Sequence, residues 1–191
     1  MGAEQRWPLI PHPAFDLHIQ YMGTAVSVKD DYRRQLDLET GVSSVFCQGE
    51  DGVEESVFSS RTDNVNVIRL KAGKTGKIDV TLGLEETPGR HGSHFEHNLD
   101  SAFTFVKSAA ESGWLTYRAG YRQDPGGYEG LARVTLKGGS MKPEGSVLQV
   151  EDADEVLIVV RITPLVDGKV SEEKEVRQEL SGLPADYGKL L

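Results

Sequence analysis

Val156-Leu157-Ile158-Val159-Val160-Arg161-Ile162 is a run of β-branched and aliphatic side chains broken only by Arg161. Its length suits a strand rather than a helix, and a strand that is apolar at successive positions has to be covered on both faces. The run therefore predicts a central strand.

Outward from this run the dominant pattern is alternation. Phe15, Leu17 and Ile19 alternate with Asp16, His18 and Gln20, and Ile78, Val80 and Leu82 alternate with Asp79 and Thr81. Segments 42–48, 53–59, 65–70, 114–121, 131–136 and 146–150 read the same way, as strands with one face buried and one wet. Between them lie turn residues: Gln48-Gly49-Glu50-Asp51-Gly52, Lys71-Ala72-Gly73-Lys74-Thr75-Gly76, Lys137-Gly138-Gly139-Ser140 and Val166-Asp167-Gly168-Lys169. Short strands joined by tight turns predict an all-β fold, an antiparallel β-sandwich of the supersandwich type.

Two segments read as helix, Ala102 to Glu111 and Ser171 to Leu180. The second lacks a complete capping box and is ended by Ser181-Gly182 and Pro184. Residues 86–100, with Pro88, Gly89 and Gly92, read as a long surface loop. The expected organisation is an N-terminal extension (1–14), a sandwich domain (15–166), and a C-terminal hairpin or helix with linker (167–191).

The chain of 191 residues carries 21 Lys plus Arg against 30 Asp plus Glu, a formal charge of -9. That balance repels phosphate backbones and argues against nucleic acid as a partner. The longest strongly apolar stretch is far too short to span a bilayer, so no membrane partner is expected. Glu4 and Pro8 interrupt any secretory signal near Met1, and the single Cys47 permits no internal disulfide, so the compartment is left open.

Few residues carry chemistry. His91, His94 and His97, with Glu96, have spacing that could serve zinc, but Gly92 and Asn98 argue against a helix that would align them. A polar loop with solvated histidines is the simpler reading; no metal and no cofactor are assigned. Glu54, Glu55, Asp63, Glu85 and Glu86 could be imagined as a hydrolytic pair, yet solvated acids are normal on strands and turns. Neither a nucleophile elbow nor a phosphate-binding glycine loop is present. Trp114, Tyr117 and Tyr121 are candidate carbohydrate contacts, because aromatic faces stack on sugars. Strand alternation would send Trp114 and Tyr117 to opposite faces and place Tyr117 and Tyr121 on one.

Several segments together resemble a known family. Tyr32-Arg33-Arg34-Gln35-Leu36-Asp37-Leu38, within Asp31 to Gly41, is similar to the Y-x-R-x-L-D-L stretch in the N-terminal domain of glycoside hydrolase family 95. Glu54-Glu55-Ser56-Val57-Phe58-Ser59-Ser60 resembles that family's R-E-x-F-x-S strand, with Glu54 in place of Arg. Asp63-Asn64-Val65-Asn66-Val67-Ile68-Arg69-Leu70 resembles its P-D-x-V-x-V-x-x-L strand, with Thr62 in place of Pro. Gly138-Gly139 and Val150-x-x-Ala153-Asp154-x-Val156 follow in the family's order.

The resemblance implies the β-sandwich that precedes a helical barrel in inverting α-L-fucosidases, which are often secreted. No catalytic position falls in the matched region, so no catalytic residue is carried over. The chain is then expected to be inactive alone, to partner the missing catalytic barrel, and to contact a fucosylated glycan if it binds carbohydrate. The family's opening strands have no counterpart before Phe15, which implies an exposed sheet edge and self-association. The competing readings are a carbohydrate-binding module without hydrolase activity and a His-loop metal domain.

Overall fold

The computed structural model describes residues 14–22, 32–47, 52–73, 77–87, 103–122, 125–166 and 171–191. Their strands are β1 (Asp16–Tyr21), β2 (Arg33–Leu36), β3 (Ser43–Cys47), β4 (Val53–Ser60), β5 (Val65–Ala72), β6 (Ile78–Glu85) and β7 (Phe103–Glu111). They continue with β8 (Trp114–Tyr121), β9 (Gly127–Lys137), β10 (Ser140–Glu144), β11 (Val147–Ala153) and β12 (Glu155–Leu165). The helices α1 (Glu173–Gly182) and α2 (Tyr187–Leu190) close the described chain.

Two antiparallel sheets face each other. The larger runs β2-β3-β4-β5-β12-β9-β8-β7 and the smaller β1-β6-β11-β10. The expected central strand is central: β12 pairs with β5 on one side and β9 on the other, with Ile158 opposite Ile68 and Val134. Both its faces are covered. Val156, Ile158 and Val160 enter the core between the sheets, while Leu157 and Val159 enter a second cluster on the outer face with Val176, Leu180, Tyr187 and Leu190. No helix of the described residues is long and apolar enough to cross a membrane.

The chain passes between sheets at a sharp corner. Strand β9 of the larger sheet becomes β10 of the smaller through Gly138-Gly139, and β11 returns to β12 through Asp154 alone. The hairpin β9-β10-β11-β12 is thus one long ribbon folded over itself. Both glycines have left-handed backbone, with φ of 69° and 67°. A Cβ on Gly139 would strike the Glu151 carbonyl oxygen, with the Ala153 nitrogen at 2.6 Å. Lys77 pairs with the Asp154 carboxylate beside the corner.

One expected helix is a strand. Ala102 to Glu111 has helix-forming Ala109 and Ala110, but Gly113 turns with φ of 78° and sends the chain back antiparallel, so Val106 pairs with Ala119 and Ala109 with Thr116. Tertiary pairing overrides local propensity here. Strand β10, not expected from the alternation, is an edge strand in which Pro143 needs no ladder donor.

Glu55 lies on the core-side face of β4 between Val53 and Val57, and desolvation pushes its carboxyl above the usual range. A raised folded-state pKa gives stability that is full below the unfolded value and lost as pH rises through the folded one. Glu55→Gln should therefore raise the melting temperature at pH 7, with the gain vanishing below about pH 4. Melting curves at the two pH values check this; an equal gain at both would refute the desolvation argument.

Candidate functional site

The most constructed polar feature is the seat of α1 on β9. Strand alternation puts Glu129, Leu131 and Arg133 on the outer face, and α1 lies across them. At its N-terminal end the Glu172 N–H donates to Glu129 Oε2 at 2.9 Å. At its C-terminal end Arg133 donates to the carbonyls of Leu180, Leu183 (3.0 Å) and Pro184 (3.0 Å). A carboxylate therefore meets the positive end of the helix dipole and a guanidinium the negative end. The lengths match: ten helical residues span about 15 Å, and four strand steps span about 13 Å.

Both clamp residues are only 8% exposed. Glu129 also faces Arg118 Nε at 3.4 Å, and burial holds the Arg133 guanidinium below its ordinary pKa. Leu131 packs between them against Val176 and Leu180. Further along, the Arg69 guanidinium sits 4.1 Å from the Tyr187 ring centroid and donates to Glu54 Oε1 at 2.7 Å. The segment from Ser171 to Leu191 is a strap held at three points on the larger sheet.

The structure separates the candidate carbohydrate contacts. Trp114 is half-buried on the outer face beneath the Arg177 guanidinium, 4.7 Å from its ring centroid. Tyr117 is 1% exposed on the opposite face, inside the core, and burial pushes its phenol up. Tyr121 shares that face, as alternation requires. It joins Tyr117, Tyr128, Phe103 and Phe15 in an aromatic cluster centred on Tyr128, whose ring stacks at 5.8 Å on Tyr117 and lies 6.1 Å from Tyr121. The three residues form no common platform.

The imagined acid pairs are also dispersed. Glu54 and Glu55 point to opposite faces of β4. Asp63 accepts from Ser60 Oγ at 2.9 Å, and Glu85 lies 3.6 Å from His18 Nδ1. Glu55 and Glu129 face opposite sides of the larger sheet, three strands apart, and the row of Glu55 meets β9 at Leu136, seven residues from Glu129, so the two are separated by more than about 20 Å, beyond a glycosidase pair. An open groove of about 690 Å³ beside α1 is lined in part by Lys107, Thr116, Arg118, Glu129, Thr163 and Glu173. Its buried acid, Glu129, is already engaged by the helix end and Arg118. Among the described residues no three His, Cys, Asp or Glu converge to hold a metal ion. His91, His94 and His97 lie outside the described residues.

Alternation predicts the facing of Arg133 within 131–136, whereas Glu129 lies before that segment and is brought onto the same strand only because β9 begins at Gly127; nothing local marks the two as a clamp. The only signal is the incomplete cap of the C-terminal helix, which needs a donor and an acceptor from elsewhere.

The family model described as glycosyl hydrolase family 65, N-terminal domain, matches residues 2–164. The chain belongs to that family. The coarse reading from the motifs, an N-terminal sandwich of a glycoside hydrolase, stands, but the family is 65 where the motifs resemble 95. Those motifs mark turns and registers of the sandwich, such as the Gly138-Gly139 corner.

Among solved structures, one described as a kojibiose phosphorylase from the human microbiome superposes with a TM-score of 0.58 at 14% identity, covering 91% of this chain and 26% of its own. This family 65 N-terminal domain thus spans about a quarter of that chain, and at this identity the likeness concerns the fold. No curated protein matches.

Proposed function

We propose that this domain is architectural: it seats a strap that fixes the geometry of a glycoside-active unit, and it does not turn over sugar alone. The observation that carries the reading is the double clamp of α1, in which two buried, oppositely charged side chains of one strand hold both helix ends. Such a joint fixes how α2 and Leu191 are presented on the larger sheet. Family membership supports the kind of unit, since residues 2–164 match a domain named for its N-terminal place in glycosyl hydrolases.

The substrate class that the kojibiose phosphorylase suggests is an α-glucoside cleaved with phosphate. The α-L-fucosides implied by the Tyr32 to Leu38 motif are the alternative. The purified chain, assayed with kojibiose plus inorganic phosphate and with a chromogenic α-L-fucoside, should release no product above buffer. Turnover abolished by a single carboxylate substitution would overturn the architectural reading.

A further inference from the structure

We propose that two copies of this chain join edge to edge through β2, antiparallel about a two-fold axis at Gln35. Among the described residues, strand β2 ends the larger sheet, and all four of its residues are exposed. Around it stand Tyr32, Leu36 and Leu38, with 44%, 60% and 87% of their surface in water. An open strand edge is a template for another strand. At the sheet's other end, β7 lies against β10 and β11 of the smaller sheet.

The register follows from backbone geometry. The Asp37 N–H donates to the Val42 carbonyl at 2.9 Å, so odd-numbered residues of β2 turn their amides toward β3. In an antiparallel ladder the even-numbered residues Arg34 and Leu36 then turn theirs outward. Outward pairs must match even with even. Centring the axis on Arg34 would oppose two guanidiniums. Centring it on Gln35 places Arg34 against Leu36, Arg33 against Asp37, and Tyr32 against Leu38, each pair occurring twice. Charge and apolar surface are both self-complementary, as a two-fold interface requires.

The arginines do not guard the edge. The Arg33 guanidinium lies 4.4 Å from the Phe46 ring centroid and that of Arg34 5.3 Å from Tyr32, stacked on their own chain rather than across the outward amides. The turn that presents Leu38 is also tied down. Asp37 Oδ1 accepts from the Glu39 N–H at 2.9 Å and the Thr40 N–H at 3.4 Å, and the Asp37 carbonyl accepts from the Gly41 N–H at 2.8 Å. Little ordering remains to be done on association.

Sedimentation velocity over a concentration series should show a reversible monomer–dimer equilibrium. Leu36→Pro removes an outward amide without touching the bonds to β3, and should abolish the dimer. Arg33→Asp sets two carboxylate pairs in opposition and should weaken it about tenfold. Because Arg33→Asp leaves the backbone unaltered, it carries the test even if Leu36→Pro disturbs the hairpin.

Register is read by cross-linking in a Cys47→Ser background. Gln35→Cys should oxidise to a linked dimer, since directly opposed non-bonded pairs stand about 4.5 Å apart. Arg34→Cys should not, because its twin lies beyond the roughly 7 Å that a disulfide bridges. A chain monomeric at every concentration, a dimer indifferent to Arg33→Asp, or equal cross-linking at both positions would overturn the proposal.

Discussion

Replacing Gly139 with alanine is expected to destabilise the domain by about 3 kcal/mol, combining left-handed backbone strain with overpacking. For a chain of this size that lowers the melting temperature by roughly 10 °C. The atoms a new Cβ would meet, the Glu151 carbonyl oxygen, the Ala153 nitrogen and the Asp152 carbon at 2.7 Å, are all backbone of the returning strand. They cannot move without unpicking β11. The neighbouring Gly138→Ala is the control. Its Cβ would meet the Asp154 carboxylate, a side chain that can swing away, so the cost should stay near the ~1–2 kcal/mol of the backbone strain. Denaturant titration of both variants checks the order; equal losses would show that the corner is not held by backbone contact.

Arg133→Met should release the strap at a cost of about 3 kcal/mol, the scale of losing charge-assisted hydrogen bonds to three carbonyls. The expected lesion is local. The core between the sheets does not include α1 or α2, so far-UV dichroism should keep its strand signal. Amides from Val176 to Leu191 should lose protection from hydrogen exchange. Leu131, Leu157 and Val159 would then be uncovered, and the variant should bind hydrophobic dye and associate. Arg133→Lys should recover little, because one ammonium cannot reach three carbonyls with the geometry of a planar fork. Unchanged protection of the Leu180 and Tyr187 segments in Arg133→Met would refute the clamp.

Much of the fold was legible because a strand buries side chains with a period of two, and that period survives in the sequence. The run from Val156 to Val160 reads as a strand covered on both faces, and it lies inside the larger sheet between β5 and β9. Alternation likewise assigned Trp114 and Tyr117 to opposite faces and Tyr117 and Tyr121 to one. It did not say which face meets solvent. Tyr117, offered as a sugar contact, is instead enclosed by Tyr128 and Phe15, because facing fixes a direction and not what waits there.

The family reading shows the same boundary. The quoted motifs fall on turns and strand registers, which neighbouring glycoside hydrolase families can share, so they carried the architecture correctly and the family number incorrectly. The segment Ala102 to Glu111 was misread for a related reason. Propensity is a local quantity, whereas the pairing of β7 with β8 is settled by the turn at Gly113 and by the strand beyond it.

What the sequence determined by itself was the alternation, the turn at Gly138-Gly139 and the all-β class, all consequences of local backbone geometry and side-chain polarity; the turns read at 48–52, 71–76 and 166–169 lie largely outside the described residues. What only the tertiary structure decided was the use of Glu129 and Arg133. These charged residues on β9 lie some forty to fifty positions before the helix ends they hold, and they become a clamp only when α1 is laid on that strand. Sequence separation hides such a partnership because the free energy that selects it, dipole against buried charge, exists only once the two elements touch.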